Sequence, residues 1–474
     1  MVFSSNIFLF VFLPIFLWAY QITPTKFKNL LILLFSVFFY AWGAPTFIVT
    51  LLVSMILNYF VVRKMAEVND RNRRLLLLWT SILLNVGLLL YFKYANFFVE
   101  NWNDAFSSIG FDTVGWTKIV LPIGISFFTF QSLSYTMDVY RKVNAPLNKL
   151  IDYLLYILMF PQMIAGPIVR FSTIADEIND RTANETYDNK LAGLMRFIIG
   201  LAKKVIIANT MAAVADQAFA LNAGDLNSAT AWVGIIAYTF QIYYDFSGYS
   251  DMAIGLGRIM GFTFPENFNN PYISKNITEF WRRWHMTLGT WMRDYLYIPL
   301  GGNRVNSSFR LYFNLWIVFL ISGLWHGASW NFIAWGAFHG LFLVFDRLFL
   351  IKLTKRLGLM NIPITFFISI VGWVLFRADT LSDAGVYLSK MFSFTSEAMT
   401  IVVKNEFWLI LPLAFLFSFS TLLSNSETYL ERLYQLQYSR RKKLITLSVF
   451  VLIFWFSVSS VASSGFNPFI YFRF

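Results

Sequence analysis

The chain holds three histidines, and two of them stand in segments whose polar content is out of keeping with the apolar runs around them. His285 closes FWRRWH within Thr278–Arg304. His326 lies in GLWHGASW, Gly323–Trp330, 41 residues further on. That separation leaves one helix's worth of chain between them. Imidazole is the side chain best suited to taking a proton from a hydroxyl near neutral pH. His326 ends an apolar run between Trp325 and Trp330, a position inside the membrane zone, where an ionisable group faces protein or a water-filled cavity. Composition alone admits two readings of it, a hydrogen-bonded core residue or a general base. His285 is either half of a reacting pair or a passenger in an interfacial Trp/Arg anchor. His339, in WGAFHG, reads as packing.

Further polar groups accompany the histidines. Asp245 and Asp251 flank Ser247 and Tyr249 in a stretch of apolar and small residues, and buried carboxylates need partners. Orienting a histidine or pairing an arginine would supply one, as would hydrogen bonds holding neighbouring helices together. The absence of cysteine excludes disulfides, thiolate metal sites and a thioester on the chain, so a covalent acyl intermediate would need another nucleophile. Three scattered histidines without carboxylate or thiol spacing do not make a zinc site. The glycine pair Gly301-Gly302 is a turn signal and not a phosphate loop.

The elements that must position these groups follow from composition. Of 474 residues, 57% are hydrophobic and 14% charged, which makes the bilayer the solvent of this chain. Aromatics at 19% fit rings facing lipid and forming interfacial belts. The net charge of +12 sits in short clusters between apolar spans, a loop pattern that excludes a nucleic-acid face. Spans of roughly 20 residues are needed to cross the hydrocarbon. Candidates lie near Ile7–Tyr20, Leu30–Trp42, Phe47–Val62, Leu75–Phe92, Ile119–Met137, Leu150–Ile164 and Leu191–Ala218. Others lie near Ala231–Tyr244, Leu311–Leu324, Asn331–Leu350, Pro363–Phe376, Phe407–Leu423 and Leu444–Val461. The expectation is an all-α polytopic membrane protein, a single domain over 1–474, with about eleven transmembrane helices. Re-entrant segments are expected around Leu150–Arg170 and Thr278–Arg304. The N-terminal stretch reads as a retained first helix. Basic clusters in alternate loops, from Lys26/Lys28 to the run Arg440–Lys443, place both the N-terminus and the C-terminal tail outside the cytoplasm.

FWRRWH, Phe280–His285, and GLWHGASWNFIAWGAFHG, Gly323–Gly340, resemble the two signature regions of the membrane-bound O-acyltransferase family. The likeness continues through YFKYANF, LPIGISFFTFQSLSYTMDVYR, IAGPIVRF and YYDFSGYSDMAIGLG, and covers most of the chain. It is strongest to the branch that O-acetylates alginate and other surface polysaccharides. The resemblance implies that His326 is catalytic and His285 its partner, in a position held by Asn across much of the wider family. It also implies helices around a central tunnel joining a cytoplasmic donor site to an extracytoplasmic acceptor site.

On that footing, acetyl-coenzyme A is the expected donor, with no tightly bound cofactor. Arg282, Arg283, Arg293 and Arg304 either meet its phosphates or only satisfy the positive-inside rule. Trp325 supports the site. Tyr471, in the tail NPFIYFRF, either relays the acyl group, since comparable aromatic tails with a Tyr recur in acyl-transfer systems of this kind, or anchors the tail at the interface. The expected location is a bacterial inner membrane, and the expected partners are an extracytoplasmic acetyltransferase, a polysaccharide acceptor and membrane lipid. The acceptor stays open among alginate, cellulose, peptidoglycan and teichoic acid. A polysaccharide transporter should show symmetric halves, which this sequence lacks, and a non-catalytic scaffold would tolerate loss of both histidines.

Overall fold

The computed structural model describes residues 1–394, 397–422, 440–463 and 470. Every regular element among them is helical, the arrangement that satisfies backbone groups within each segment when no water is at hand. The chain divides into two compact units. One comprises residues 1–2, 7–184 and 261–264; the other comprises 3–6, 185–260 and 265–474.

The first unit contains α1 (Leu13–Ile22), α2 (Thr25–Gly43), α3 (Ile48–Glu67), α4 (Arg71–Leu89) and α5 (Ala95–Ser107). It continues with α6 (Ile125–Tyr140), α7 (Leu150–Leu158) and α8 (Phe171–Asn179). Asp70 caps α4 by accepting from the Arg73 backbone N–H at 2.8 Å. Polar side chains knit the buried helix faces: Asn58 donates to the Tyr153 hydroxyl at 2.8 Å and accepts from Ser81 and Asn85. Such contacts join helices where apolar burial gives no preference for a neighbouring helix over lipid. The span expected from Ile119 begins only at Ile125, because Pro122 and the left-handed Gly124, at φ +77°, delay the helix start. The segment expected to be re-entrant forms the nine-residue α7, followed by a buried, largely irregular stretch to Val169.

The second unit carries α9 (Tyr187–Ala202), α10 (Asn209–Phe219) and α11 (Ser228–Ile259), then two seven-residue helices, α12 (Ile277–Arg283) and α13 (Met286–Met292). It continues through α14 (Ser308–His326), α15 (Trp330–Phe345), α16 (Ile351–Thr354) and α17 (Asn361–Arg377). It ends with α18 (Leu381–Met391), α19 (Asn405–Phe419) and α20 (Arg440–Ser463). A π-helical turn, Lys203–Ala208, joins α9 to α10.

Helix α11 is the scaffold of this unit. It is 32 residues long and buried over most of its length. It packs on α9 through glycines: a methyl group at Gly193 would meet the Gly255 carbonyl at 2.5 Å, and one at Gly200 would meet the Gly248 carbonyl at 2.5 Å. A second small-residue seam draws α14 onto α15, where Gly323 lies against the Phe332 carbonyl and Gly336 against the Phe319 carbonyl. Close backbone approach of this kind is what small residues provide in membrane helices.

Among the described residues, seven helical stretches are long and apolar enough to cross a membrane: Thr25–Gly43, Ile48–Glu67, Arg71–Ser107, Ser308–His326, Trp330–Arg377, Asn405–Leu422 and Arg441–Ser463. Phe8–Ile22 is a shorter apolar helix. The figure differs from the eleven expected. Part of the difference is that two runs read as separate spans, Asn331–Leu350 and Pro363–Phe376, fall within the one stretch Trp330–Arg377, which is kinked at Gly358, and α11 carries too many polar groups to qualify by composition.

Candidate active site

Both signature histidines lie in the second unit, and each is placed by a break in a helix. α12 starts at Asn276, whose side chain accepts from the Glu279 N–H at 2.7 Å, and its first turn is tied down by Asp346, which accepts from the Thr278 N–H and hydroxyl at 2.7 and 2.9 Å. The helix ends at Arg283. Trp284 is extended, and His285 then adopts φ +45°, ψ +52° before α13 begins. A left-handed conformation in a residue other than glycine costs about 1–2 kcal/mol, and such strain gathers at functional sites.

The strain at His285 is held by the strand-like segment Asn267–Asn269, which runs beside it. The Met286 N–H donates to the Asn267 carbonyl and the Asn269 N–H to the Arg283 carbonyl, both at 2.9 Å. His285 itself is buried, with Nδ1 2.9 Å from Asn267 Oδ1. That oxygen also accepts from the Thr287 hydroxyl at 2.8 Å and its backbone N–H at 3.4 Å, while the Asn267 amide nitrogen donates to Ser250 Oγ at 3.0 Å. A backbone N–H is an obligate donor, so the atom facing it is the amide oxygen and His285 Nδ1 carries the proton. In the neutral ring, Nε2 then keeps its lone pair, and it is buried without a hydrogen-bond partner among the described residues.

His326 is the last residue of α14, and a three-residue link, Gly327–Ser329, turns the chain into α15. Its ring is buried edge-to-face against Trp325, Trp335 and Phe376, at centroid distances of 4.8, 5.0 and 5.2 Å. With Ile242, Phe246, Trp284, Trp373 and Ile470, the rings of His326, Trp335 and Phe376 line a small, largely apolar cavity. His285 lines a much larger one, about 530 Å³, together with Trp281, Trp284, Arg282, Arg293 and Ser322. Trp284 borders both. Phe246, which lines the cavity of His326, stands edge-on to His285 at 4.7 Å, and Trp325, which touches His326, lies 6.1 Å from the His285 ring, so the same aromatic rings adjoin both histidines.

The arginines divide. Arg282 and Arg293 line the larger cavity. Arg293 also pairs with Asp294 at 2.7 Å. Arg283 is committed to Glu279 at 3.0 Å and to Asn269, and Arg304 is exposed outside the cavity lining. Neither carboxylate on α11 reaches a histidine. Asp251 pairs with Arg196 at 2.9 Å and Lys203 at 2.6 Å, which links α11 to α9 and the π turn, while Arg196 also holds Glu266. Asp245 pairs with Lys204 at 2.8 Å. His339 is packed against Trp281 and Trp335 at 5.0 and 5.2 Å. Tyr471 lies outside the described residues.

Sequence reasoning missed Asn267, Lys204, Phe246 and Ile470. The one legible sign was ENFNN, Glu266–Asn270, a polar run between apolar ones.

Residues 78–377 match the membrane-bound O-acyltransferase family. The chain is 42% identical to the probable alginate O-acetylase AlgI of Pseudomonas putida over the full length of both chains. It is 48% identical to the protein of the same name from Pseudomonas aeruginosa, over 83% of this chain and 75% of that one. It is 40% identical to the peptidoglycan O-acetyltransferase of Helicobacter pylori, over 81% and 78%.

Proposed function

Because the chain belongs to the membrane-bound O-acyltransferase family, we propose that this multi-pass membrane enzyme takes an acetyl group from a cytoplasmic thioester, acetyl-coenzyme A, and delivers it to the extracytoplasmic face for O-acetylation of an exopolysaccharide. Alginate is the first acceptor to test, since AlgI relatives match over most of this chain. Peptidoglycan is the second, on the strength of the Helicobacter relative. The observation that carries the reading is the pair of cavities bordered by Trp284, one lined by His285 and the other by His326. One is large enough for the arm of a thioester; the other is small, aromatic and able to exclude water.

In this reading the donor's acyl arm occupies the larger cavity, with Arg282 and Arg293 meeting its phosphates. His326 removes the proton from the accepting hydroxyl as that oxygen attacks the thioester carbonyl. The carbon–sulfur bond breaks, an ester forms, and the proton passes to the leaving thiolate. Dry aromatic walls limit competing hydrolysis. The tautomer of His285 bears on its role: Nε2 in the neutral ring accepts a hydrogen bond and does not give one. It therefore suits an N–H of the donor arm and orients the thioester. Stabilising an oxyanion would require the imidazolium.

The accepting hydroxyl is either that of the sugar, directly or through an extracytoplasmic transferase, or that of Tyr471, with the acetyl ester passed on afterwards. The second course is favoured by Ile470, the chain neighbour of Tyr471, which lines the cavity of His326. The test is release of free coenzyme A from acetyl-coenzyme A by the purified enzyme in nanodiscs, with radiolabel followed into alginate, peptidoglycan and the protein itself. Label entering a polymer or Tyr471 supports the reading. No thioester consumption with every acceptor supplied overturns it.

A further inference from the structure

Asp245 is a buried carboxylate in the middle of α11, and its two oxygens are engaged differently. Oδ1 lies 2.8 Å from Lys204 Nζ, an ion pair in which both side chains are almost wholly buried. Oδ2 accepts from the backbone N–H of Ile470 at 2.8 Å. Lys204 sits on the π turn after α9, an irregularity of a kind frequent at functional sites. Its ammonium also donates to Asn209 Oδ1 at 2.9 Å. A buried ion pair is a weak source of stability, since replacing it with apolar residues is often neutral. Its presence here asks for another use.

The position of Ile470 supplies one. Its side chain is buried in the cavity of His326, and Phe246, the residue after Asp245, forms part of the same wall. One turn of α11 thus presents both an anchor for the Ile470 backbone N–H and a surface for the Ile470 side chain. A backbone donor fixes the path of the chain whatever its side chains, and a charged acceptor makes that hydrogen bond stronger than a neutral one.

We propose that the Lys204–Asp245 pair is a positioning device that seats Ile470 at the cavity of His326, and thereby sets how efficiently the acyl group is accepted there. The proposal rests on the catalytic reading of His326 for its consequence, but the seating itself can be measured without donor or acceptor.

The chain has no cysteine, so Ile470→Cys is a single reporter of whether position 470 is seated. The full-length protein in nanodiscs is treated with N-ethylmaleimide in three backgrounds: unaltered, Lys204→Met/Asp245→Leu, and Asp245→Asn. The apolar double variant keeps the interior free of an unpaired charge and remains folded, as size-exclusion elution verifies. Modification of the introduced thiol should be slow in the unaltered background and at least about tenfold faster in the double variant. Asp245→Asn, which keeps an oxygen for the Ile470 N–H, should restore part of the protection. With Ile470 left in place, the double variant should lower acetyl transfer by a similar factor without changing KM for acetyl-coenzyme A. Equal modification rates in all three backgrounds would overturn the seating. Faster modification with undiminished transfer would overturn its role in acceptance.

Discussion

Asn267 Oδ1 lies 2.9 Å from His285 Nδ1 and takes two further donors from Thr287, so a single amide oxygen fixes both the tautomer and the orientation of a strained imidazole. Removing that oxygen should leave the ring able to turn and to exchange tautomers. Asn267→Ala is expected to lower kcat by about tenfold or more, the scale of losing a buried hydrogen-bond partner, with Asn267→Asp closer to wild type because it keeps an acceptor. Steady-state kinetics of the three proteins would decide, and equal kcat values would remove Asn267 from the site.

The backbone at His285 makes a separate demand. At φ +45° the position favours Gly and Asn. His285→Asn should keep the thermal stability of the wild type in detergent, whereas His285→Val should lose about 1–3 kcal/mol through the strain of a β-branched residue there. A scanning-fluorescence melt checks this. Equal melting of Val and Asn variants would mean the loop relaxes freely.

Helix α14 can deliver His326 only if it lies close against α15. A side chain at Gly323 would strike the Phe332 carbonyl, so Gly323→Ala should destabilise by about 1–3 kcal/mol and depress activity with it. Gly385→Ala, within α18 and with open space around the added methyl group, should stabilise by about 0.5–1 kcal/mol. Opposite signs for two identical substitutions would locate the requirement in the seam.

The larger cavity predicts a donor effect. Ser322→Phe should fill space that the thioester arm needs and raise KM for acetyl-coenzyme A by about tenfold or more. Arg282→Ala should also raise KM, and the deficit should shrink as salt rises, since phosphate attraction is screened. Unchanged KM in both would move the donor elsewhere.

His326 was conspicuous as an ionisable residue at the end of an apolar run among tryptophans, and its burial there agrees, but the catalytic reading came only from the likeness of GLWHGASW to a known family. His285 was legible only through the likeness of FWRRWH to a known family, since a left-handed conformation leaves no trace in the sequence when it is borne by histidine instead of glycine. Asn267 was hidden for a different reason: ENFNN looks like any polar loop, and its approach to Met286 depends on how the second unit folds. The Lys204–Asp245 pair was hidden by a π turn that no periodicity announces. Asp245 was correctly seen to need a partner, but the partner's identity came from packing of α9 and α10 on α11.

The most direct test compares wild type with His326→Ala in nanodiscs, following thioester consumption after both proteins are shown to elute as intact, monodisperse species. The account predicts a fall of about 10²–10⁴-fold, the contribution of a positioned general base, with KM for acetyl-coenzyme A little changed because the donor cavity is intact. Consumption at the wild-type rate would contradict it and place the chemistry on another residue.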